Sequence, residues 1–515
     1  PLRPGQSPPP VRTPKRIFHS RTYGQNMAKA RITGRASRMW STLTLAVYPC
    51  AMALIAGVDS STQSVKIVIR DAQSGTLIRE GRAAHPDGTE IDPGSWFKAL
   101  QEALGAAGGL SDVAAISIGG QQHGLIALDK NGKVLRPALL WNDTRSARAA
   151  VDLNQEVGGD QAMAEATGSV LVASFTASKV RWMADHEQEL AAQIAAIALP
   201  HDWLSWQLQG GQGFETLFTD RSDASGTGYF DPVTSNYRRD ILGLALRSER
   251  EILLPRIVSS NCFGGVTPEG LHIGAGAGDN AAAAFGLQAV AGDVVVSLGT
   301  SGTAFSVSTT PTHEGTGTVA GFADLTGNYL PLVCTLNAAR ILDAAARILG
   351  VDFHRLSELA LNAPPGANGL TLLPYFEGER TPNRPTATGI FAGMNLSNSN
   401  PESIARAMIE GMLAGLADAV DALAREGVAI NRIFLVGGAA KNPAVAQIAS
   451  ALFGREVIIP PAGEYVANGA ARQAAWALLG QAPLWNLGEV TRVQSRATPE
   501  VMEKYRSLRD ATVSW

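Results

Sequence analysis

The feature that most constrains the fold is a plan that occurs twice. Leu54–Val58 is a short apolar run, followed by the polar DSSTQS and the alternating Val65–Ile69. Asp293–Ser297 is again apolar, followed by LGTSGT and Ala304–Ser308. Each reads as strand, small polar turn, strand. Thr76–Gly81 and Tyr329–Leu336 supply a third strand to each half, and strands joined by tight turns predict an antiparallel meander. Helices are expected over Pro93–Ala107, with Pro93 suited to the first turn, and over Ala338–Leu349, Glu402–Arg425 and Pro443–Phe453. Val113–Ile118 and Arg432–Val436 read as buried strands ending in GGQQHG and GGAAKN. Internal similarity of this kind predicts duplicated α/β domains facing each other.

The two turns have a use beyond reversing the chain. A tight turn exposes successive backbone N–H groups, and small Gly, Ser and Thr side chains let a phosphate approach them. Asp59 in the first turn could hold a hydrated magnesium ion. Either turn alone is explained as an ordinary β-turn; two matched turns heading matched halves point to a phosphate clamp. The sequence has no G-x-x-x-x-G-K-[ST] loop, no protein-kinase signature and no G-x-G-x-x-G after a strand. A phosphate-handling enzyme here needs another architecture.

Three segments carry candidate chemistry. In GAGAGDNAAAAFG (274–286) glycines allow close backbone approach before Asp279, and an Ala-rich helix follows. Asp279 reads as a helix N-cap or as the carboxylate that accepts a proton from a substrate hydroxyl during phosphoryl transfer. A helix start favours the ionised form, so its carboxyl need not be raised. In GGQQHG, His123 is either a satisfied structural histidine or, beside Gln121 and Gln122 at a strand end, part of a polyol site. The loop Trp141-Asn142-Asp143 with Arg145 adds polar groups there, or is a surface turn with an ion pair. In FLVGGAAKNP, Gly437 and Gly438 would let a flat base lie on the backbone, with Asn442 in contact.

Composition excludes several classes. The chain has 515 residues and a net charge of -3, with 45% hydrophobic and 17% charged residues, which is ordinary for globular domains. Near neutrality argues against a nucleic-acid binder. Cys50, Cys262 and Cys334 are odd in number and scattered, which fits a reducing compartment. The start stands apart: residues 1–58 carry +9 and the remainder -12. Residues 1–51 are expected to be a disordered basic extension or a misplaced start, with a targeting peptide as the alternative. The apolar run from Leu43 to Val58 is interrupted by Pro49 and is short for a membrane span.

In order along the chain, GVDSSTQSVK, GGQQHG, RPALLWNDTR, SFTASKVRWM, LPHDWLSWQL, SDASGTGYFD, GAGAGDNAAAAFG, SLGTSGTAF, LLPYFEGERTP and FLVGGAAKNP resemble the FGGY carbohydrate kinases, from about Met52 to about Gly480. The resemblance implies an α/β fold of two actin-like (ribonuclease H-like) ATPase domains with a central cleft. Residues 52–288 would form the N-terminal domain with the sugar and catalytic residues. Residues 289–485 would bind the nucleotide, and 486–515 would be a C-terminal tail. It implies transfer of the ATP γ-phosphate to a sugar hydroxyl, with Mg2+. Asp279 matches the family's catalytic aspartate; Gln122 and His123 match the pair that contacts the sugar, with Asn280 helping. Asp59 with Ser61, Thr62 and Gln63 matches the first phosphate and magnesium segment. Thr300 and Ser301 match the second phosphate turn, and Gly437, Gly438 and Asn442 the adenosine segment. GGQQHG and WNDTR favour D-xylulose as acceptor, over ribulose, gluconate, rhamnulose or glycerol, although Gln122 stands where some members have Met. The implied partners are ATP and the sugar, with no nucleic acid and no membrane, in the cytoplasm; a homodimer is compatible. A non-catalytic actin-like sugar sensor is the competing class, against which the sugar segment and Asp279 both argue.

Overall fold

The computed structural model describes residues 53–513, so the expectation for residues 1–51 lies outside the described residues. The first half is built on one mixed sheet. Strands β1 (Leu54–Ser60), β2 (Ser64–Asp71) and β3 (Leu77–Ala84) form the expected antiparallel meander. β4 (Val113–Gly120) lies parallel to β1 on its other side. β5 (Phe263–Val266) and β6 (His272–Gly274) complete the order β5-β6-β4-β1-β2-β3. β1 is buried throughout, as an apolar strand covered on both faces should be.

Helix α1 (Pro93–Ala106) starts with Pro93 in its first turn, capped by the Asp92 carboxylate, which accepts from the Gly94 N–H. It buries Trp96, Ala99, Leu100 and Ala103, one face at helical spacing, and packs on β2 and β3. Helix α2 (Pro200–Leu208) packs on β4. Helix α3 (Asp279–Gly286) begins next to the end of β4.

The second half repeats this frame. Strands β7 (Asp293–Leu298), β8 (Gly302–Ser306), β9 (Ala320–Ala323), β10 (Tyr329–Thr335), β11 (Arg432–Val436), β12 (Val457–Ile459) and β13 (Thr491–Val493) run in the order β9-β10-β8-β7-β11-β12-β13. Without the edge strand β9, this is the first sheet strand for strand, with the same parallel and antiparallel neighbours. Helices α4 (Pro401–Arg425) and α5 (Pro443–Phe453) cover it and share its core of Val294, Val296, Met408, Met412 and Ile448.

Helix α6 (Tyr465–Leu479) lies in sequence between β12 and β13 of the second sheet but packs on the first, against β1, β4 and α3. The approach is close because the contact residues are Gly and Ala. A Cβ on Gly57 would lie 2.0 Å from the Ala467 carbonyl oxygen, and one on Gly469 1.8 Å from that of Ala282. The segment after 485 is not loose: β13 pairs with β12, and α7 (Pro499–Ala511) buries Val501, Met502 and Tyr505 in the second core. Among the described residues no helix is long and apolar enough to cross a membrane.

Candidate active site

Three neighbouring strand ends meet in the first half. Asp59, next to last in β1, is in register with Gly119 of β4, and Gly119 with Ala277 of a short strand, Ala277–Gly278. The chain leaves β4 as Gln121-Gln122-His123 and leaves the short strand as Asp279, the first residue of α3. One edge therefore presents Asp59, Gln122, His123, Asp279 and Asn280 together, although they are separated by up to 221 positions in the sequence. Ligands bind at such strand ends because the chain there turns away and leaves a crevice.

Asp279 is not a cap. The capping position is Gly278, and the Asp279 carboxylate accepts from the Asn280 backbone N–H at 2.7 Å and from Asn280 Nδ2 at 2.8 Å. Its carboxyl is raised even so. Crowding by protein at the floor of the crevice pushes the carboxyl up to about 7, against the Asn280 hydrogen bonds, and the charge of Asp59 adds to the rise. Desolvation and a like charge outweigh the helix start.

Gln122 and His123 hang on the buried segment 222–226. Gln122 Nε2 donates to the Ser222 carbonyl at 3.0 Å, Gly226 O accepts from His123 Nδ1 at 2.6 Å, and the Gly278 N–H donates to Ser222 Oγ at 3.1 Å. His123 has a φ of 71°, a left-handed conformation that a non-glycine residue keeps only when its surroundings impose it. Its ring packs between Phe175 and, from β9, Phe322, at centroid distances of 4.9 and 5.6 Å. Burial pushes the imidazole down to about 3, with the charges of Lys179 and Arg380 pushing the same way, so the ring is neutral. A neutral ring that donates from Nδ1 leaves Nε2 as an acceptor for a hydroxyl.

The first turn is fixed at both ends. The Ser61 hydroxyl donates to Asp59 Oδ1, and Lys66, opposite Asp59 in the hairpin, lies 3.5 Å from Asp59 and 2.7 Å from Glu464 at the start of α6. Burial raises the Asp59 carboxyl above its usual range, with Ser61 and Lys66 opposing. The loop from Trp141 resolves into separate duties. Trp141 Nε1 donates to Thr62 Oγ1 at 2.8 Å, while Asp143 is buried and paired with Arg145 at 2.9 Å. That loop is thus an ion-paired turn that also braces Thr62. Gln63 is exposed at the apex of the turn.

The same edge of the second sheet is open. Thr300 is exposed and Ser301 half-buried between β7 and β8, and neither hydroxyl has a protein partner among the described residues. Gly437 and Gly438 are exposed after β11. Gly437 has a φ of 96°, and a Cβ there would lie 2.4 Å from the Leu298 carbonyl; a Cβ on Gly438 would meet nothing within 4 Å. That is room for a flat ring against the backbone. Asn442 is a helix cap, its oxygen accepting from the Ala444 and Val445 N–H groups of α5.

Sequence reasoning assigned no role to Ser222, Asp223, His201 or Arg380, although each lies in a quoted family segment. Glu379 is buried and accepts from the Leu336 N–H, Asn337 Nδ2 and the Arg380 N–H, fixing the turn. The Arg380 guanidinium has no hydrogen bond or ion pair among the described residues, and its charge is felt at His123. The signal for these residues was motif order alone, because their partners are remote in sequence.

Two ribonuclease H-like halves with acidic, hydroxyl-rich and glycine-rich turns at their facing strand ends define a sugar-kinase frame, and the chain belongs to the FGGY family of carbohydrate kinases. The family's N-terminal domain matches residues 54–286 and its C-terminal domain residues 294–478. The chain is similar to a xylulose kinase of Streptomyces coelicolor, 43% identical over 442 residues, 83% of this chain and 89% of that one. It is similar to a xylulose kinase of Escherichia coli at 33% identity, over 81% of this chain and 89% of the relative. The crystal structure of a xylulose kinase from Bifidobacterium adolescentis is 45% identical, with a TM-score of 0.83, covering 89% of this chain and 99% of that one. The chain is an enzyme, a carbohydrate kinase with ATP as its phosphate donor.

Proposed function

We propose that this kinase phosphorylates D-xylulose to D-xylulose 5-phosphate with Mg-ATP, and that Asp279 is the general base. The observation that carries the reading is the edge where three strand ends deliver Asp59, the Gln122–His123 pair and Asp279 beside a hydroxyl-bearing turn. The relatives named xylulose kinase support the choice of sugar.

The sugar lies with its hydroxyls toward Gln122, His123 Nε2 and Asn280. The reacting hydroxyl faces Asp279. As its oxygen bonds to the γ-phosphorus, the proton passes to the Asp279 carboxylate, and the bond from the γ-phosphorus to the bridging oxygen breaks to release ADP. A carboxyl poised near 7 is a stronger proton acceptor than an ordinary aspartate and is still substantially ionised at neutral pH. Thr62, Thr300 and Ser301 and the backbone N–H groups of their turns bind the phosphates. Gly437 and Gly438 receive the base, and Asn442 sets the start of the helix beside it. Ser61 and Gln63 shape the first turn.

Asp59 and Asp279 supply carboxylate oxygens, the donors magnesium takes, close enough for the charge of Asp59 to raise Asp279, so the residues present fit the ion. When bound with ATP, magnesium neutralises phosphate charge. The closed cleft excludes water, which otherwise competes as acceptor.

The test is ADP release by the full chain from Mg-ATP, with and without D-xylulose. Strong dependence on D-xylulose, with xylulose 5-phosphate as product, supports the reading. Activity only with another ketose or polyol overturns the choice of sugar. ADP release indifferent to every sugar overturns the sugar-kinase mechanism in favour of a nucleotide-binding sensor.

A further inference from the structure

We propose that His201, clamped between Asp202 and Asp223 beneath the sugar site, is a positioning residue for the phosphorylation: it fixes the 222–226 segment from which Gln122, His123 and the Asp279 turn are suspended. The proposal rests on reading Gln122, His123 and Asp279 as the sugar site.

His201 is fully buried at the start of α2, as are Asp202, Asp220 and Asp223 around it. Its Nδ1 lies 2.5 Å from Asp223 Oδ2 and 3.1 Å from Asp202 Oδ1, and its Nε2 lies 3.4 Å from the Ala275 carbonyl. Both ring nitrogens thus face acceptors. A neutral imidazole has one N–H and would turn a lone pair on one of them; an imidazolium satisfies both. Electrostatics agree: burial pulls the ring down, but Asp202 and Asp223 outweigh it and push it up to about 10. One cation therefore stands among three buried carboxylates, where loss of the cation would leave uncompensated charge.

The position of the ring links it to the site. It occupies space left by two glycines. A Cβ on Gly276 would lie 2.1 Å from His201 Cδ2, and one on Gly120 2.8 Å from His201 Cβ. Gly120 ends the strand that leads into Gln122 and His123, and Gly276 is the turn that leads into Asp279. On its other side the ring holds Asp223. The Asp220 carboxylate accepts from the N–H groups of Ser222 and Asp223 at 2.8 and 3.0 Å, which fixes the residue whose carbonyl and hydroxyl receive Gln122 and Gly278. The Ser225 hydroxyl donates to the Ser222 carbonyl at 2.6 Å and accepts from the Ala323 N–H of β9 at 3.0 Å. The segment is therefore held from three sides, and His201 is its only cationic support among the described residues that bond to it.

The test compares His201→Leu, His201→Gln, His201→Lys and Gln122→Ala in the full chain. KM for the sugar, KM for ATP, kcat and the melting temperature are measured for each. His201→Leu is expected to raise the sugar KM about tenfold and lower kcat, with the ATP KM within about twofold. Where His201→Leu fails to fold, His201→Gln, which keeps a donor and drops the charge, carries the same expectation at about fivefold. His201→Lys, which restores a cation on an unbranched chain, is expected to recover most of the lost sugar affinity. A folded His201→Gln enzyme with an unchanged sugar KM overturns the proposal, as does a parallel rise of both KM values without rescue by Lys, which marks a general loss of structure. If Gln122→Ala leaves the sugar KM unchanged as well, it is the placement of the sugar site that fails.

Discussion

The residue next to last in β1 is Asp59, in register with Gly119; the residue next to last in β7 is Ser297, in register with Val436. Beyond those partners the chain continues as Gln121-Gln122-His123 in the first half and as Gly438-Ala439-Ala440 in the second. The helices that come after β6 and β12 differ in the same way. α3 opens with Asp279, whose carboxylate accepts hydrogen bonds from its neighbour Asn280, whereas α6 follows Glu464, which is paired with Lys66 at 2.7 Å. One strand order thus carries two chemistries. The first half concentrates carboxylates, amides and an imidazole, the groups that the proposed orientation and deprotonation of a hydroxyl require. The second clears its strand ends to glycine, alanine and hydroxyls, which suits the proposed nucleotide site. The strand order is shared, and side chains at a few strand ends set the two halves apart.

That division can be broken at its strongest point. Asp279→Asn keeps the shape of the side chain and removes the base, and kcat should fall about a thousandfold, roughly 4 kcal/mol, with sugar binding by calorimetry nearly unchanged. A near-normal kcat would remove the acid–base role from the first half. Next in size is a contrast at equivalent backbone positions. Gly57→Ala forces a methyl into the backbone of α6 and should destabilise by about 3 kcal/mol. Val295→Ala, the matching site, is fully packed and should cost about 2 kcal/mol by leaving a cavity. Denaturant melts of both variants check this, and tolerance of Gly57→Ala would show that α6 does not dock as described.

The pH profile sharpens the comparison further. Asp279 must be ionised to accept a proton and its carboxyl is pushed up to about 7, so kcat/KM should fall about tenfold per pH unit below that value and level off above it. A profile flat down to pH 5 would show an ordinary carboxyl. The smallest effect is expected in the second half. A side chain on Gly438 points into open space, so Gly438→Leu should fold, raise the ATP KM about tenfold, roughly 1.4 kcal/mol, and leave the sugar KM alone. Equal rises in both would mean that the two sites are not divided between the halves.

Much of this architecture was legible in the amino-acid sequence. The strands at 54, 64, 113, 293 and 432 and the helices at 93, 401 and 443 lie within a few residues of where apolar periodicity and Pro placed them, because those segments have both strong local preference and an unambiguous buried face. Asp279, His123 and the glycine turns were weak signals one by one and stood out because they recur at matched places and in the family's order. The ionisation of Asp279 was not legible. A helix-start argument counts only local groups, whereas its carboxyl answers to burial and to Asp59, 220 positions earlier. Nor could Asn442 be distinguished from a base contact by its position in FLVGGAAKNP; the contacts of its oxygen make it the cap of α5.

The sequence by itself determined the duplicated frame, the family and the residues able to do chemistry, since periodicity, turn composition and motif order are local properties of the chain. Only the tertiary structure decided which of those residues share an edge, that α6 crosses to the first sheet through Gly57 and Gly469, and that a buried histidine stands under the strand ends that carry Gln122, His123 and Asp279. These depend on desolvation and on contacts between segments remote along the chain, and both arise only when the chain closes on itself.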